Sequence, residues 1–351
     1  MKISTHNHWD PLEEIVVGIA DNARIPTVDR STMSMSYTNH SIDDIKPLEG
    51  PYEQWIIDEA NEDMQELADT LTGLGVKVHR PDAIDHSVEF STPEWKTSGW
   101  YTWCPRDLLL PLDNLMIETP SSCRARYFET RAYHKIMLEA VKDGTEWIAA
   151  PKPILPDESY QFEDIDRKPS LRNLEPVFDA PNCVRLGKDI LFQISNTGNH
   201  LGMQWLKNVL EPRGYRIHPA EHIYSYAHMD STIIPLRPGL VLLNSTRVNP
   251  DNCPKLFEKW DKIYFEDVNV KPPADGTVSP CSPYIGMNIL SVDPNTVIVG
   301  KDQTNLINVL EKHKLTVIPV SLRHAQTLSG GLHCATLDLR RKGTVEDYFT
   351  C

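Results

Sequence analysis

The sequence predicts an α/β chain in which five similar units close into a ring around a central channel. Three observations lead there. A helix that runs out into a short strand recurs at residues 52–81, 138–151, 205–219 and 306–319, with a weaker copy at 256–265. Further apolar stretches at 184–192, 240–243 and 297–299 lie between these copies, so each unit carries one helix for a few strands. Spread over 351 residues, five copies give a period of about 70, the size of a supersecondary unit rather than a domain. A closed array of five such units leaves a channel with loops at its mouth. A doubly wound sheet would call for glycine-rich phosphate loops, and no Gly-x-Gly-x-x-Gly occurs. No linker divides the chain, so one domain over residues 1–351 is expected.

Taken in order, Trp9, Asp10 and Pro11 form a turn that feeds a buried strand at 15–18. Residues 21–52 carry Pro26, Pro47, Gly50 and Pro51 among many small polar residues. They read as one long loop, of the kind that forms lids or binding loops. Ile56, Ile57, Ala60, Met64, Leu67, Ala68 and Leu71 keep the three-four spacing of a helix with one apolar face. That helix stops at Gly73 and Gly75, and a strand follows at 76–81. Residues 154–173 are acidic and irregular and read as a solvated insertion. The last element follows Gly330 and Gly331, which allow a turn or a close backbone approach. After them, Ala335, Leu337 and Leu339 alternate with Thr336, Asp338 and Arg340, the pattern of a strand with one face buried.

Composition narrows the function. A formal charge of -14 disfavours nucleic acid and anionic membranes and favours a cationic substrate. No apolar run reaches the roughly 20 residues of a membrane span, and no signal-peptide core follows Met1. A cytoplasmic enzyme acting on small molecules is expected, with no cofactor and, by default, a homodimer. Seven scattered cysteines without a Cys-x-x-Cys pair read as neither a disulfide framework nor a zinc site. His6 and His8 form a chance His-x-His rather than a metal pair, since no third ligand is near.

Cys334 stands at the mouth of the last strand, where a thiol is held rigidly and can still be reached. A cysteine nucleophile needs a proton-transfer partner and a group to orient that partner. His228 and Asp230, two apart in an extended segment, put an imidazole and a carboxylate on one face. His79, His86, His134, His218 and His313 sit in helices or at strand ends with no acidic neighbour of interest and read as surface or packing residues. Asp107, Asp179, Asp230 and Cys334 each precede a separate strand. In a repeated fold that places them at one mouth.

Five motifs in order then resemble one family, the amidinotransferases. They are Trp9-Asp10-Pro11-Leu12-Glu13-Glu14, Pro105-Arg106-Asp107, Phe178-Asp179-Ala180, His228-Met229-Asp230 and Gly331-Leu332-His333-Cys334-Ala335-Thr336-Leu337-Asp338-Leu339-Arg340-Arg341. The stretch from Asp230 to Leu242 is most similar to the inosamine-phosphate branch. The resemblance implies a five-bladed α/β propeller of the pentein type. It implies that Cys334 attacks the guanidinium carbon of L-arginine and holds the amidino group while ornithine leaves. His228 would be the acid and base, and Asp179 would orient it. Asp107 and Asp230 would grip the guanidinium and Arg247 the substrate carboxylate. Tyr101, Cys281 and Ser282 would line the pocket. Glycine-accepting members carry Asn and Met where this chain has Ser225 and Ala227, which implies an acceptor amine larger than glycine. An aminocyclitol phosphate and the lysine side chain both qualify, in antibiotic or toxin biosynthesis.

Three other readings compete. A guanidine hydrolase of the same superfamily would let water replace the acceptor, but residues 178–180 and Arg340-Arg341 look like the transferases. A papain-like protease would place Cys before His in the chain; here Asp179 and His228 precede Cys334. A non-catalytic arginine-binding module would not need all three.

Overall fold

Five three-stranded sheets, each built the same way, make up the framework of the computed structural model, which describes residues 1–37, 39–162 and 170–349. In every sheet the first two strands are antiparallel and the third runs parallel to the second. A parallel return needs a crossover, and the recurrent helix supplies it. The second unit runs Leu109–Leu112, Leu115–Glu118, helix His134–Lys142, Glu146–Ala149. The third runs Cys183–Leu186, Asp189–Gln193, helix His200–Leu210, Arg216–Ala220. The fifth runs Leu290–Asp293, Thr296–Gly300, helix Thr304–Lys312, Thr316–Val320.

The fourth unit departs from the expected pattern. Ile233–Arg237, Leu240–Asn244 and Asp261–Phe265 form its sheet, but the predicted helix at 256–262 is a single 3-10 turn, Lys255–Phe257. Trp260 leaves the turn to stack on Phe349, 5.5 Å between ring centroids. The first unit joins the two ends of the chain. Strand Leu12–Val17 pairs with Thr336–Arg341 on one side and, after helix Gln54–Gly73, with Lys77–His79 on the other.

The sheets themselves do not close: among the described residues no strand belongs to two of them. Apolar side chains join the units instead. One cluster packs Val16 and Leu337 against Leu109 and Met116, joining units one and two. Leu110 and Ile117 meet Ile190 and Phe192 between two and three. Leu186 and Leu191 meet Ile233 and Val241 between three and four. Leu236 and Leu242 meet Val297 and Val299 between four and five. Leu290 and Ile298 meet Ile15 and Val17 between five and one.

Four more expectations change. The segment 21–52 is not one loop: it carries helices Arg30–Met35 and Ile42–Ile45 and a two-residue ladder. Asp29 and Ser41 cap the two helices through their side chains. The final strand is buried on both faces from Thr336 to Leu339. Asp338, expected on the wet face, is bound by Arg106, Arg185 and Arg341. In the acidic stretch 154–173, residues 163–169 lie outside the described residues, but Tyr160 and Leu171 bridge across it and are buried, not solvated. His79 and His218 do have acidic partners, Glu14 at 3.0 Å and Asp189 at 2.6 Å. No helix among the described residues is long and apolar enough to cross a membrane.

Candidate active site

Each unit presents one polar side chain just before its first strand. Asp107 ends a 3-10 turn ahead of Leu109–Leu112. Asp179 precedes the Ala180–Asn182 turn and then Cys183–Leu186. Asp230 comes before Ile233–Arg237, Asn288 before Leu290–Asp293, and Cys334 before Thr336–Arg341. Direct contacts tie these residues together in one cluster. Asp107, His228, Asp230 and Cys334 face a cavity of about 260 Å³, with Asp179 one layer behind.

His228 stands between two carboxylates. Its Nε2 is 3.0 Å from Asp179 Oδ2 and its Nδ1 is 3.5 Å from Asp107 Oδ1. Burial pushes its pKa down, but Asp107, Asp179 and the Cys334 thiol outweigh that and hold it well above the usual histidine value. Asp179 is fully buried. Its backbone N–H donates to Asn182 Oδ1 at 3.1 Å, and its side chain accepts from the Ser122 N–H at 3.3 Å. Asp107 is bound from behind by Arg126, whose guanidinium also forks onto Glu129 at 2.7 Å for both bonds. Burial raises the Asp107 pKa, against the pull of His228 and Arg126.

Cys334 is 5% exposed. Its N–H donates to Asn288 Oδ1 at 2.9 Å, and its Sγ lies 3.3 Å from Asp230 Oδ2. A hydrogen bond with the Cys104 thiol, burial and the Asp230 carboxylate push the thiol pKa well above the ordinary value. Cys334 is thus a neutral thiol beside an imidazolium. Asp230 stays ionised: burial opposes the charge, but the bond from His333 and the positive field of His228 hold its pKa below the usual carboxylate range.

Arg247 also lines the cavity, a half-buried cation with no carboxylate partner among the described residues. Its Nη1 donates to Thr232 Oγ1 at 2.7 Å and its Nη2 to Ser282 Oγ at 2.5 Å. The Tyr224 ring lies 3.6 Å from its guanidinium carbon. Two carboxylates and an arginine lining one cavity fit a substrate with a cationic head and an anionic tail.

Several expected residues sit elsewhere. Tyr101 does not line the cavity; it is buried under Arg126, 5.0 Å from ring centroid to guanidinium carbon. Ser225 is also off the wall, and its carbonyl accepts from Asn196 N at 2.9 Å. Ala227, Cys281 and Ser282 do line it. Burial pushes the Cys281 thiol up to about 12, so it stands on the wall as a neutral thiol. Ser282 serves Arg247. Gly330 and Gly331 keep negative φ, and the left-handed residue is Ser329 at +56°. The glycines instead permit contact: a Cβ on Gly330 would stand 2.4 Å from Cys104 Sγ, and one on Gly331 would stand 2.5 Å from Asn288 Cβ.

Sequence reasoning missed Asn288, Arg126, His333 and His8. For Asn288 the signal was its register, two residues before a strand, as for Asp107 and Cys334. It also missed the cavity rim of Met35, Ser36, Asn39 and His40, contributed by the segment read as a lid or binding loop. Among the described residues, no group of three or more His, Cys, Asp or Glu is arranged to hold a metal.

No family model matches the chain. It is 45% identical over 346 residues to inosamine-phosphate amidinotransferase 1 of Streptomyces glaucescens, covering 99% of both. It is 35% identical over 356 residues to an L-arginine:L-lysine amidinotransferase of Pseudomonas savastanoi pv. phaseolicola, covering 99% of this chain and 96% of that one. The solved inosamine-phosphate amidinotransferase of Streptomyces griseus superposes with a TM-score of 0.95 at 44% identity, covering 99% of both chains. A dimethylarginine dimethylaminohydrolase shares the fold alone, with a TM-score of 0.56 at 13% identity over 93% of this chain.

Proposed function

The chain belongs to the amidinotransferase family, an enzyme that transfers amidino groups, and we propose that its donor is L-arginine and its acceptor a primary amine larger than glycine. One observation carries this reading: a thiol, an imidazolium and two carboxylates share one cavity with an arginine that has no carboxylate partner among the described residues. The guanidinium of arginine lies between Asp107 and Asp230, and its α-carboxylate meets Arg247.

The bound guanidinium adds a positive charge beside Cys334 and thereby lowers the thiol pKa. Sγ then attacks the guanidinium carbon. His228 passes a proton to the departing side-chain nitrogen, the C–N bond breaks and ornithine leaves. The thiol proton replaces the one His228 gave, so S–H and C–N bonds are exchanged for S–C and N–H, and the positive charge stays on the amidino group. In the second half the acceptor amine attacks the same carbon and the C–S bond breaks; His228 gives its proton to the departing sulfur and takes the one the amine loses, so S–C and N–H bonds are exchanged back for S–H and C–N. Asp179 keeps the imidazole oriented throughout. Proton transfer of this kind contributes about 10²–10⁴-fold.

The identities to inosamine-phosphate enzymes favour an aminocyclitol phosphate as acceptor, with lysine the competitor. The small side chain of Ala227 on the wall supports a roomy acceptor site. We also read residues 1–351 as one catalytic domain whose five units close as a propeller around the site; the apolar cluster shared by each neighbouring pair supports it.

Brief incubation with L-arginine and no acceptor, followed by mass spectrometry, tests the reading. Ornithine and an amidino adduct on Cys334 are expected, absent in Cys334→Ala, and the adduct should discharge onto scyllo-inosamine phosphate or lysine. Steady citrulline release would mean a hydrolase instead.

A further inference from the structure

His8 and His333 were not placed in the chemistry above, yet they end on it. His333 Nδ1 lies 2.7 Å from Asp230 Oδ2, the same oxygen that faces Cys334 Sγ. His333 Nε2 lies 3.2 Å from His8 Nδ1. His8 Nε2 accepts the backbone N–H of Arg185 at 3.0 Å.

An amide N–H can only donate, so His8 Nε2 must be bare and its proton must sit on Nδ1. That proton points at His333 Nε2, which must then accept. His333 is left with its proton on Nδ1, aimed at Asp230. The opposite tautomers would set N–H against N–H at His8 and a lone pair against the carboxylate at His333. The Arg185 side chain also comes within 3.4 Å of His8 Nδ1, a longer contact than the amide bond, and its charge opposes any second proton on the ring. Burial, with Arg106 beside one ring and Arg185 beside the other, keeps both imidazoles neutral.

We propose that His8 and His333 are positioning residues for the transfer: one backbone amide, through two imidazoles of fixed tautomer, holds the Asp230 carboxylate where it meets the guanidinium and the thiol. This rests on the amidino-transfer reading, and wild-type adduct formation on Cys334 tests that reading separately.

The experiment is the single-turnover rate of Cys334 adduct formation at saturating L-arginine, in variants whose melting temperatures are checked. His333→Phe removes the donor and should slow the step about 10- to 100-fold, as for loss of a hydrogen bond to a charged group. His333→Asn places an amide donor where Nδ1 was and should recover most of that rate. His8→Leu frees the His333 tautomer and should cost less than His333→Phe. Because the links act in series, the double variant His8→Leu/His333→Phe should be no slower than His333→Phe. The proposal is overturned if the wild type forms the adduct while His333→Asn is as slow as His333→Phe, if His333→Phe is not slowed, or if the two losses simply add.

Discussion

The protonation of Cys334 decides when the reaction starts. A thiol whose pKa is raised stays neutral below that value, so the empty enzyme guards its nucleophile. Alkylation of Cys334 by iodoacetamide, followed by peptide mass spectrometry without arginine, should be slow at pH 7 and still climbing beyond pH 9. A plateau below pH 8 would contradict the raised pKa. His228→Ala should leave the melting temperature near wild type and cut turnover about 10²–10⁴-fold; a variant with normal kcat would remove His228 from the mechanism. At this scale much was legible. Cys334, His228, Asp179, Asp107 and Asp230 stand in the motifs and Arg247 comes with the family resemblance, and all are found at or directly behind one cavity. His333 and His8 were not legible, because they touch the chemistry through contacts between residues 325 positions apart, which no local pattern encodes.

Elements were legible where their periodicity was long. The helix at 54–73 shows seven apolar positions on one face and was read almost to its ends. The fourth unit misled because Leu256, Phe257 and Trp260 mimic one helical turn, while the aromatic stacking of Trp260 on Phe349 is a tertiary choice. Strand 290–293, with no run of its own, hid Asn288. One glycine shows how tightly an element sets the site. Gly202 lies in helix His200–Leu210, and a Cβ there would meet Val177 O at 2.3 Å. Val177 leads directly to Asp179, so Gly202→Ala should cost about 1–3 kcal/mol in urea unfolding and also lower turnover. Normal stability and activity would show that this contact relaxes freely.

Across the whole molecule, the buried Asp338 gathers cations from three parts of the chain. Arg106 reaches it at 2.7 Å, Arg185 at 2.8 Å and Arg341 at 2.8 Å. Burial pushes its pKa up, but the three guanidiniums hold it well below the usual range. A depressed folded pKa stabilises above the unfolded value of about 4 and is lost as pH falls through the folded value. Asp338→Asn leaves buried cations uncompensated and should lose about 3–5 kcal/mol, read by denaturant titration at pH 7. An unchanged midpoint would mean that carbonyl oxygens suffice to hold the arginines.

The first sheet, which pairs residues 12–17 with 336–341, also has a consequence for synthesis. A ribosome delivers the chain in order, so strand 12–17 can pair with Lys77–His79 early, while its other edge waits until residues 336–341 have been made. Contacts this distant in sequence are slow to form. The nucleophile travels on the segment that completes the pairing. A nascent or truncated chain can therefore fold much of its framework while holding no thiol in place, so nothing arms the site before residues 334–341 are made.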